Sequence, residues 1–318
     1  MQTQTIASFK SPAGPPLQIV KQTFAACKPK ATRRISFIGG LHGDELEGVY
    51  LCAQLIRILQ GLKETEPEAF LGDIHIYPAS NPQSISNGSR MWPFYSVDIN
   101  RAMGKEDADS LPDEFADCLL KDIVKHSDYA VDFHGSNLQL HEVPQIRILE
   151  EFSRKLVPLA ALSNVDLVWV HPSAGVFETT LGYNLNVRKV QTLVIETGIC
   201  LRIHQDYCDQ ICRGMLNFMQ HLKILKLSNP PENMQTPRLV KPSEVTLITS
   251  NHAGLFTSKF DRPGIHVQLG EKLGEITHPL NGSILDEIFA PSEGFLFTLR
   301  KHPLVYPGAP VARIANVD

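Results

Sequence analysis

The sequence predicts an α/β fold with a mixed, mostly parallel sheet flanked by helices, followed by a smaller all-β domain. In the first two thirds of the chain, short apolar runs alternate with stretches whose apolar residues recur at helical spacing. Polar and charged residues directly follow several of the apolar runs, as at the ends of strands that carry a site. After residue 243 the helical spacing stops, and short apolar runs are separated by glycine turns, which is typical of a small barrel or sandwich.

Composition excludes several classes of protein. The chain has 318 residues, 43% of them hydrophobic and 20% charged, which is ordinary for a globular protein of one or two domains. A net charge of -4 gives no basic footprint for nucleic acid. No apolar run approaches the roughly 20 residues that cross a bilayer. The start of the chain lacks the pattern of a signal peptide, and the six cysteines form no C-x-x-C pair. We therefore expect a cytoplasmic protein that binds neither nucleic acid nor membrane.

Each element follows from the spacing of its apolar residues. We predict a first domain over residues 1–235 and a β domain over residues 243–318, joined by a proline-rich polar linker over 228–243. Strands are predicted at 35–38, 73–77, 129–133, 165–170 and 191–195, and helices at 46–62, 111–126, 150–162 and 203–225. The helix from residue 46 is expected to stop at Gly61. The polar stretch 83–104 is predicted to be irregular.

The segment Arg34–Glu47 joins a buried strand through a glycine turn to the start of a helix. It contains His42 and Glu45, three residues apart. An imidazole nitrogen and a carboxylate oxygen are both good zinc ligands, and the neighbouring glycines allow the backbone to turn sharply. On its own the pair is equally compatible with a solvated loop whose acidic residue lies at a helix start.

Two further strands end in residues of the same chemistry. His134 follows the strand at 129–133, and Glu196 follows the strand at 191–195. Because parallel strands place their carboxyl ends at one edge, His42, Glu45 and His134 can form a catalytic zinc site of three protein ligands with one open position. Asp132 lies two residues before His134, on the same side of the strand, so it can orient that imidazole. The alternative for His134 alone is a core histidine with satisfied hydrogen bonds.

Hydrolysis at such a site requires groups beyond the metal ligands. A general base must take a proton from water and pass it to the leaving nitrogen, and Glu196 suits that role. One arginine can stabilise a developing oxyanion, and a second can clamp a substrate carboxylate. Arg90 and Arg101 are each available for either task.

Five motifs occur in one order along the first domain: G-G-L-H-G-D-E-L-E-G (39–48), N-P-Q-S-I-S-N-G-S-R (81–90), D-I-N-R (98–101), D-F-H-G (132–135) and I-E-T-G (195–198). On these motifs the chain resembles the succinylglutamate desuccinylase/aspartoacylase family, which is related to the zinc carboxypeptidases. The resemblance implies a zinc-carboxypeptidase-like domain with a central mixed sheet. It also implies a C-terminal β domain that shapes or shields the site.

The same resemblance assigns roles to individual residues. Three of them hold one zinc ion per chain, one is the base and proton shuttle, one polarises the scissile carbonyl, and two bind the carboxylate of the substrate. In that order they are His42, Glu45 and His134 for zinc, Glu196 as the base, Arg90 at the carbonyl, and Asn100 and Arg101 at the carboxylate.

The leading hypothesis is a zinc-dependent amidohydrolase that cleaves an N-acyl amino acid or a similar small molecule with a free carboxylate. A carboxypeptidase acting on short peptides uses identical chemistry, and an open groove rather than a narrow pocket would favour it. A carrier domain is disfavoured because the C-terminal glycine turns lack the lysine that carries a biotinyl or lipoyl group. A non-catalytic relative is disfavoured because every expected ligand and the base are present. Assembly into a homo-oligomer is left open.

Several other residues are set aside or left open. His141 and Glu142 begin an H-E-x-x-H pattern, but Gln145 occupies the position of its second histidine. We interpret His141 and His171 as surface or rim residues. No spacing rule assigns roles to the remaining candidates, Tyr183, Arg147 and Arg188.

Overall fold

The computed structural model describes residues 1–11, 13–28, 33–105 and 107–316. Its helices are α1 (Leu46–Thr65), α2 (Pro82–Asn87), α3 (Leu111–His126), α4 (Ser153–Ala160), α5 (Leu181–Val187) and α6 (Gln205–His221). The strands of the first part are β1 (Gln2–Phe9), β2 (Leu17–Phe24), β3 (Arg34–Ile38), β4 (Asp73–Tyr77), β5 (Tyr129–Gly135), β6 (Leu140–Leu149), β7 (Leu167–His171), β8 (Gln191–Gly198) and β9 (Arg238–Val240). The later strands are β10 (Val245–Thr249), β11 (Gly254–Ser258), β12 (Ile265–Val267), β13 (Lys272–Thr277), β14 (Ile284–Phe289), β15 (Gly294–Arg300), β16 (Leu304–Val305) and β17 (Pro310–Ala315).

A large mixed sheet forms the centre of the molecule and confirms the predicted fold class. Its strands lie in the order β1-β2-β4-β3-β5-β8-β6-β15-β17-β10, with β7 beside β6, β9 beside β7 and β12 beside β15. Strands β4, β3, β5 and β8 run parallel, whereas β6 is antiparallel to β8. The carboxyl ends of β3, β5 and β8 therefore meet at one edge, where ligands bind in sheets of this kind.

Helices cover both faces of this sheet because its central strands are apolar on both sides. In β3, Phe37 packs with α1 and α6 in one core, and Ile38 packs with α3 and α5 in the other. Successive side chains of a strand point to opposite faces, so neighbouring residues belong to different cores. The double coverage buries the strands and leaves their carboxyl ends as the accessible part. No helix among the described residues is both long and apolar enough to cross a membrane.

The C-terminal part, residues 245–316, contains strands but no helix. Four of these strands form a second sheet in the order β14-β13-β11-β16, which encloses its own apolar core. The others extend the central sheet, because β15 pairs with β6 through the register Thr298↔Glu142. A smaller all-β part is thus present, and one strand pair attaches it to the strand next to β8. The proposed boundary between residues 1–235 and 243–318 remains a prediction.

The structure corrects several predicted elements. Helix α1 continues through the exposed Gly61 to Thr65, since a glycine in a helix lowers its stability without ending it. The stretch predicted to be irregular contains α2 and a 3-10 turn over Ile99–Arg101. The predicted linker contains β9, which pairs with β7 and buries Val240 completely. Helix α5 and strand β6 were not predicted.

The loop between β3 and α1 depends on the absence of a side chain at Gly43. A Cβ atom there would lie 1.9 Å from the backbone carbonyl carbon of Ser84. We predict that Gly43→Ala lowers the free energy of unfolding by at least about 2 kcal/mol, as overpacking against backbone does. Gly61→Ala is the matched control, because a Cβ at this helical position meets nothing within 4 Å. It should stabilise the protein by about 0.5–1 kcal/mol. Denaturant titration of both variants tests this, and equal effects would contradict it.

Candidate metal centre and active site

The candidate residues come together at the carboxyl ends of three neighbouring strands. His42 lies in the turn after β3, His134 lies near the end of β5, and Glu196 lies in β8. His134 and Glu196 are register partners on adjacent parallel strands. Gly40, with a φ of +68°, allows the turn that carries His42 toward β5. The pairing of the strands thus determines which side chains meet.

A buried cluster of His42, Glu45 and His134 occupies this edge. The Nδ1 atoms of the two imidazoles are 3.3 Å apart. Oε1 of Glu45 lies 2.7 Å from Nδ1 of His42, and Oε2 lies 2.8 Å from Nδ1 of His134. Two ligands at zinc–nitrogen distance in tetrahedral geometry are about 3.3 Å apart, so the two nitrogens have the spacing that a shared ion requires.

Each imidazole is held from behind by a second carboxylate. Nε2 of His42 lies 3.0 Å from Oδ1 of Asp98, and Nε2 of His134 lies 3.0 Å from Oδ2 of Asp132. A carboxylate at one ring nitrogen fixes the tautomer and leaves the other nitrogen as the ligand atom. The contact of Asp132 follows the two-residue spacing predicted for it. The contact of Asp98 was missed, although the D-I-N-R motif contains that residue.

The charged groups of the cluster shift one another's pKa values. Burial alone would raise the pKa of Glu45, but the neighbouring His42 and His134 outweigh it and lower that pKa. Burial likewise opposes protonation of both imidazoles, and the surrounding carboxylates nevertheless raise the pKa of each. Two imidazoles and one carboxylate, all buried and within reach of one point, are a donor set that fits a divalent metal ion such as zinc.

Arg90 connects the cluster to Asp98. Its Nη1 donates to Oε1 of Glu45 at 3.1 Å, and its Nε and Nη2 donate to Oδ2 of Asp98 at 3.1 and 2.9 Å. The side chain is 40% exposed, so the guanidinium also faces the cavity beside the cluster. Arg90 thus carries positive charge next to the candidate metal position while two carboxylates hold it in place.

Asn100 and Arg101 follow Asp98 on the 3-10 turn. Oδ1 of Asp98 accepts a hydrogen bond from the backbone N–H of Asn100, which caps the turn. Oδ1 of Asn100 accepts from the backbone N–H of Leu181 at 2.8 Å, which ties the turn to the start of α5. The side chain of Arg101 is exposed at the cavity and forms no ion pair with any residue that the structure describes.

Glu196 is at the end of a chain of charged side chains that crosses the sheet. Nη1 of Arg147 lies 3.5 Å from Oε1 of Glu196, and Nη2 donates to Oε2 of Glu142 at 2.7 Å. Arg313, on β17, donates to the other oxygen of Glu142 at 3.1 Å. Burial raises the pKa of Glu196, and Arg147 and His134 only partly oppose that shift. The carboxylate is thus held in position and has an elevated affinity for a proton.

All seven site residues proposed from the sequence line one cavity of about 300 Å³. Arg147 and Tyr183, whose roles were left open, also line the cavity. His171 lines it too, which agrees with its interpretation as a rim residue. Arg188 does not line it, because its Nη1 is bonded to Asn184. His141 is not a surface or rim residue, because it is only 4% exposed.

A buried cluster of metal-type ligands beside a carboxylate and arginines is typical of a hydrolase for small anionic substrates. The model of the succinylglutamate desuccinylase/aspartoacylase catalytic domain matches residues 31–222. The chain therefore belongs to the succinylglutamate desuccinylase/aspartoacylase family, a family of hydrolases that act on N-acyl amino acids.

Solved structures share the fold at low sequence identity. A succinylglutamate desuccinylase/aspartoacylase from Rhodobacter sphaeroides is 21% identical with a TM-score of 0.80, covering 98% of this chain and 94% of that one. The product-bound ectoine utilization protein EutE (DoeB) from Ruegeria pomeroyi is 19% identical with a TM-score of 0.76, covering 95% and 90%. An aspartoacylase family protein from Mesorhizobium loti is 18% identical with a TM-score of 0.76, covering 100% and 95%. No curated protein sequence matches the chain.

His141 makes the stability of the protein sensitive to acid. Its ring stacks on His204 with centroids 4.4 Å apart. Burial, with the nearby positive charges of His204, Lys301 and Arg262, lowers the pKa of His141 to about 3. Below pH 6.5 this histidine therefore binds a proton in the unfolded chain but stays neutral in the folded protein. The free energy of unfolding consequently falls as the pH falls. One such histidine contributes about 2 kcal/mol to the loss between pH 6.5 and 5.

We predict that His141→Phe reduces the loss of unfolding free energy between pH 6.5 and 5 by about that amount. Denaturant titrations at the two pH values measure it. His302→Gln, at an exposed histidine, is the control and should keep the wild-type pH dependence. An unchanged pH dependence in His141→Phe would refute the assignment.

Proposed function

We propose that this protein is a zinc-dependent amidohydrolase that cleaves N-acyl amino acids or similar small molecules with a free carboxylate. The observation that carries the proposal is the arrangement of His42 and His134. Their Nδ1 atoms are 3.3 Å apart beside Glu45, and carboxylates hold both Nε2 atoms. This arrangement supports one zinc ion per chain, bound by His42, Glu45 and His134. When bound, zinc polarises a carbonyl oxygen and lowers the pKa of a coordinated water.

Glu196 is the proposed general base. It takes a proton from the attacking water and delivers it to the leaving amide nitrogen, so that the amine departs neutral. The raised pKa of Glu196 supports this role, because a base works best when its pKa is close to the working pH. Arg147 contacts the carboxylate of Glu196 from β6, which lies on the other side of β8 from β5.

Arg90, Asn100 and Arg101 are the proposed groups for recognition and charge stabilisation. The guanidinium of Arg90 lies beside the cluster, where it can donate to the carbonyl oxygen as negative charge develops. Arg101 faces the cavity without an ion-pair partner among the described residues, so its charge is available for a substrate carboxylate. The amide nitrogen of Asn100 supplies a further donor, since its oxygen is bonded to Leu181.

The size of the cavity favours this reaction over a carboxypeptidase. A volume of about 300 Å³ is at the lower end for ligand pockets, which suits an N-acyl amino acid better than a peptide. The name of the ectoine utilization relative also describes the metabolism of a small molecule. We also propose a cytoplasmic location, and the six unpaired cysteines support it because disulfide bonds are rare there.

We predict that purified protein binds about one zinc ion per chain and hydrolyses N-acetyl or N-succinyl amino acids in preference to dipeptides. Glu196→Gln should retain zinc and lose about 100-fold or more of kcat, because it removes the base without touching a ligand. His134→Ala should lose both zinc and activity. Metal analysis and amine release measure these outcomes. Near-normal turnover in Glu196→Gln would exclude the base, and peptide cleavage alone would indicate a carboxypeptidase.

Arg101 should distinguish substrates by their charge. We predict that Arg101→Ala lowers kcat/KM by about 100-fold for a substrate with a free carboxylate and changes little for its methyl ester, because only the carboxylate pairs with the guanidinium. Arg101→Lys should restore part of the loss by keeping the charge. Equal losses on acid and ester would rule out the clamp.

A further inference from the structure

Side chains of two kinds line the cavity. The first kind includes the cluster of His42, Glu45 and His134. The second kind is apolar and comes from β6, β8 and the chain between these two strands. These residues are Ile148, Leu149, Phe152, Leu156, Phe177 and Val194, and they are called the apolar end below.

The apolar end begins next to the proposed base. Glu196, Val194 and Thr192 alternate along β8, so they point to the same face of the strand, and all three line the cavity. Two residues of a strand span about 6.6 Å, which places Val194 one small side chain away from Glu196. A group attached near a scissile bond beside Glu196 therefore reaches the apolar end directly.

Aromatic rings form part of its wall. Phe152 packs edge-on against Tyr183 with ring centroids 5.8 Å apart, and His171 packs against Phe177 at 6.4 Å. Burial and the charges of Arg147 and Arg313 lower the pKa of His171 to about 4, so this ring is neutral at neutral pH. The wall thus combines apolar surface with rings that carry no charge.

The positive charges that line the cavity can pair with one substrate carboxylate. Arg90 is paired with Asp98 and Glu45, and Arg147 is paired with Glu142 and contacts Glu196. Among the described lining residues, Arg101 is the cation without an ion pair. A second carboxylate at the apolar end would lose its hydration without gaining an unpaired cation, which is costly.

The carboxylate clamp and the apolar end are directly connected. Asn100 accepts a hydrogen bond from Leu181 at the start of α5, and the next residues, Gly182 and Tyr183, line the cavity. In an N-acyl amino acid the carboxylate and the side chain are attached to the same carbon. A carboxylate held at Asn100 and Arg101 therefore brings the side chain within reach of Tyr183 and of Phe152, whose rings are in contact.

We propose that the substrates are N-acyl derivatives of neutral amino acids with a branched aliphatic or aromatic side chain, and that the apolar end receives this side chain. The inference rests on the proposed amidohydrolase function. It names a substrate class with a single carboxylate, in contrast to acyl derivatives of aspartate or glutamate.

A substrate panel on the wild-type protein tests the class. N-acetyl-leucine and N-acetyl-phenylalanine should have kcat/KM values about 10- to 100-fold above those of N-acetyl-aspartate and N-succinyl-glutamate. Lengthening the acyl chain on a fixed amino acid should give a smaller gain than enlarging the side chain. A preference for the acidic substrates, equal rates, or a response confined to the acyl chain would overturn the proposal.

A binding measurement separates this inference from the proposed function. Calorimetric titration of zinc-loaded Glu196→Gln with N-acetyl-phenylalanine and N-acetyl-aspartate should show at least about tenfold tighter binding of the former. If this preference is found but the wild type hydrolyses neither compound, the function fails and the apolar site stands. If N-acetyl-aspartate binds as tightly or more tightly, the apolar site fails.

A charge introduced at the apolar end should shift the preference. Leu149→Arg should lower kcat/KM for N-acetyl-phenylalanine and raise it for N-acetyl-aspartate, changing their ratio by about 100-fold or more. Leu280→Arg is the matched control, since Leu280 is 89% exposed and lies outside the cavity. It should leave the ratio unchanged. An unchanged ratio in correctly folded Leu149→Arg would contradict the assignment.

Discussion

The close approach of two imidazoles to the carboxylate of Glu45 is the constraint on which the rest of the site depends. Buried charges are costly unless they are paired, and here Glu45, His42 and His134 each have at least two partners. Glu45 contacts both histidines and Arg90, and it also accepts the backbone N–H of Gly135 at 3.1 Å. These contacts require the turn after β3, the end of β5 and the segment that carries Arg90 to meet at one point. A shift of any strand by one residue would turn its ligand to the other face of the sheet.

The C-terminal strands contribute to the site through charge as well as through the sheet. Arg313 and Arg147 share Glu142, which is 1% exposed, and Arg147 in turn contacts Glu196. Removing one partner of such a buried pair leaves an uncompensated charge, so the partners stabilise one another's position. Because β15 also pairs with β6, the strand that carries Glu142 and Arg147 is restrained along its length. The all-β part therefore acts as a structural support for the proposed base.

The parts of the fold that the sequence predicted are those with strong local patterns. Strands β3, β5 and β8 are apolar runs, and β4 alternates polar and apolar residues. Helices α1, α3 and α6 have helical apolar spacing, so each of these elements can be recognised without its neighbours. Strand β6 escaped prediction because it contains Glu142, Pro144 and Arg147, which are unfavourable in an isolated strand. The charge of Glu142 is partly balanced by Arg313, which is 171 residues away, and no local pattern can predict that partner. The hydrogen bond from Leu181 to Asn100 is equally remote from any spacing rule.

The ion pairs within the site limit how many positive charges are available to a substrate. Asp98, which contacts His42, also pairs with Arg90, and the proposed base Glu196 contacts Arg147. An arginine that is paired with a buried carboxylate can position neighbouring groups, but it adds little net charge to the site. Arg101 differs because its turn points it into the cavity, where the described residues give it no acidic partner. The balance of arginines and carboxylates around the cavity would then determine how many negative charges a substrate carries.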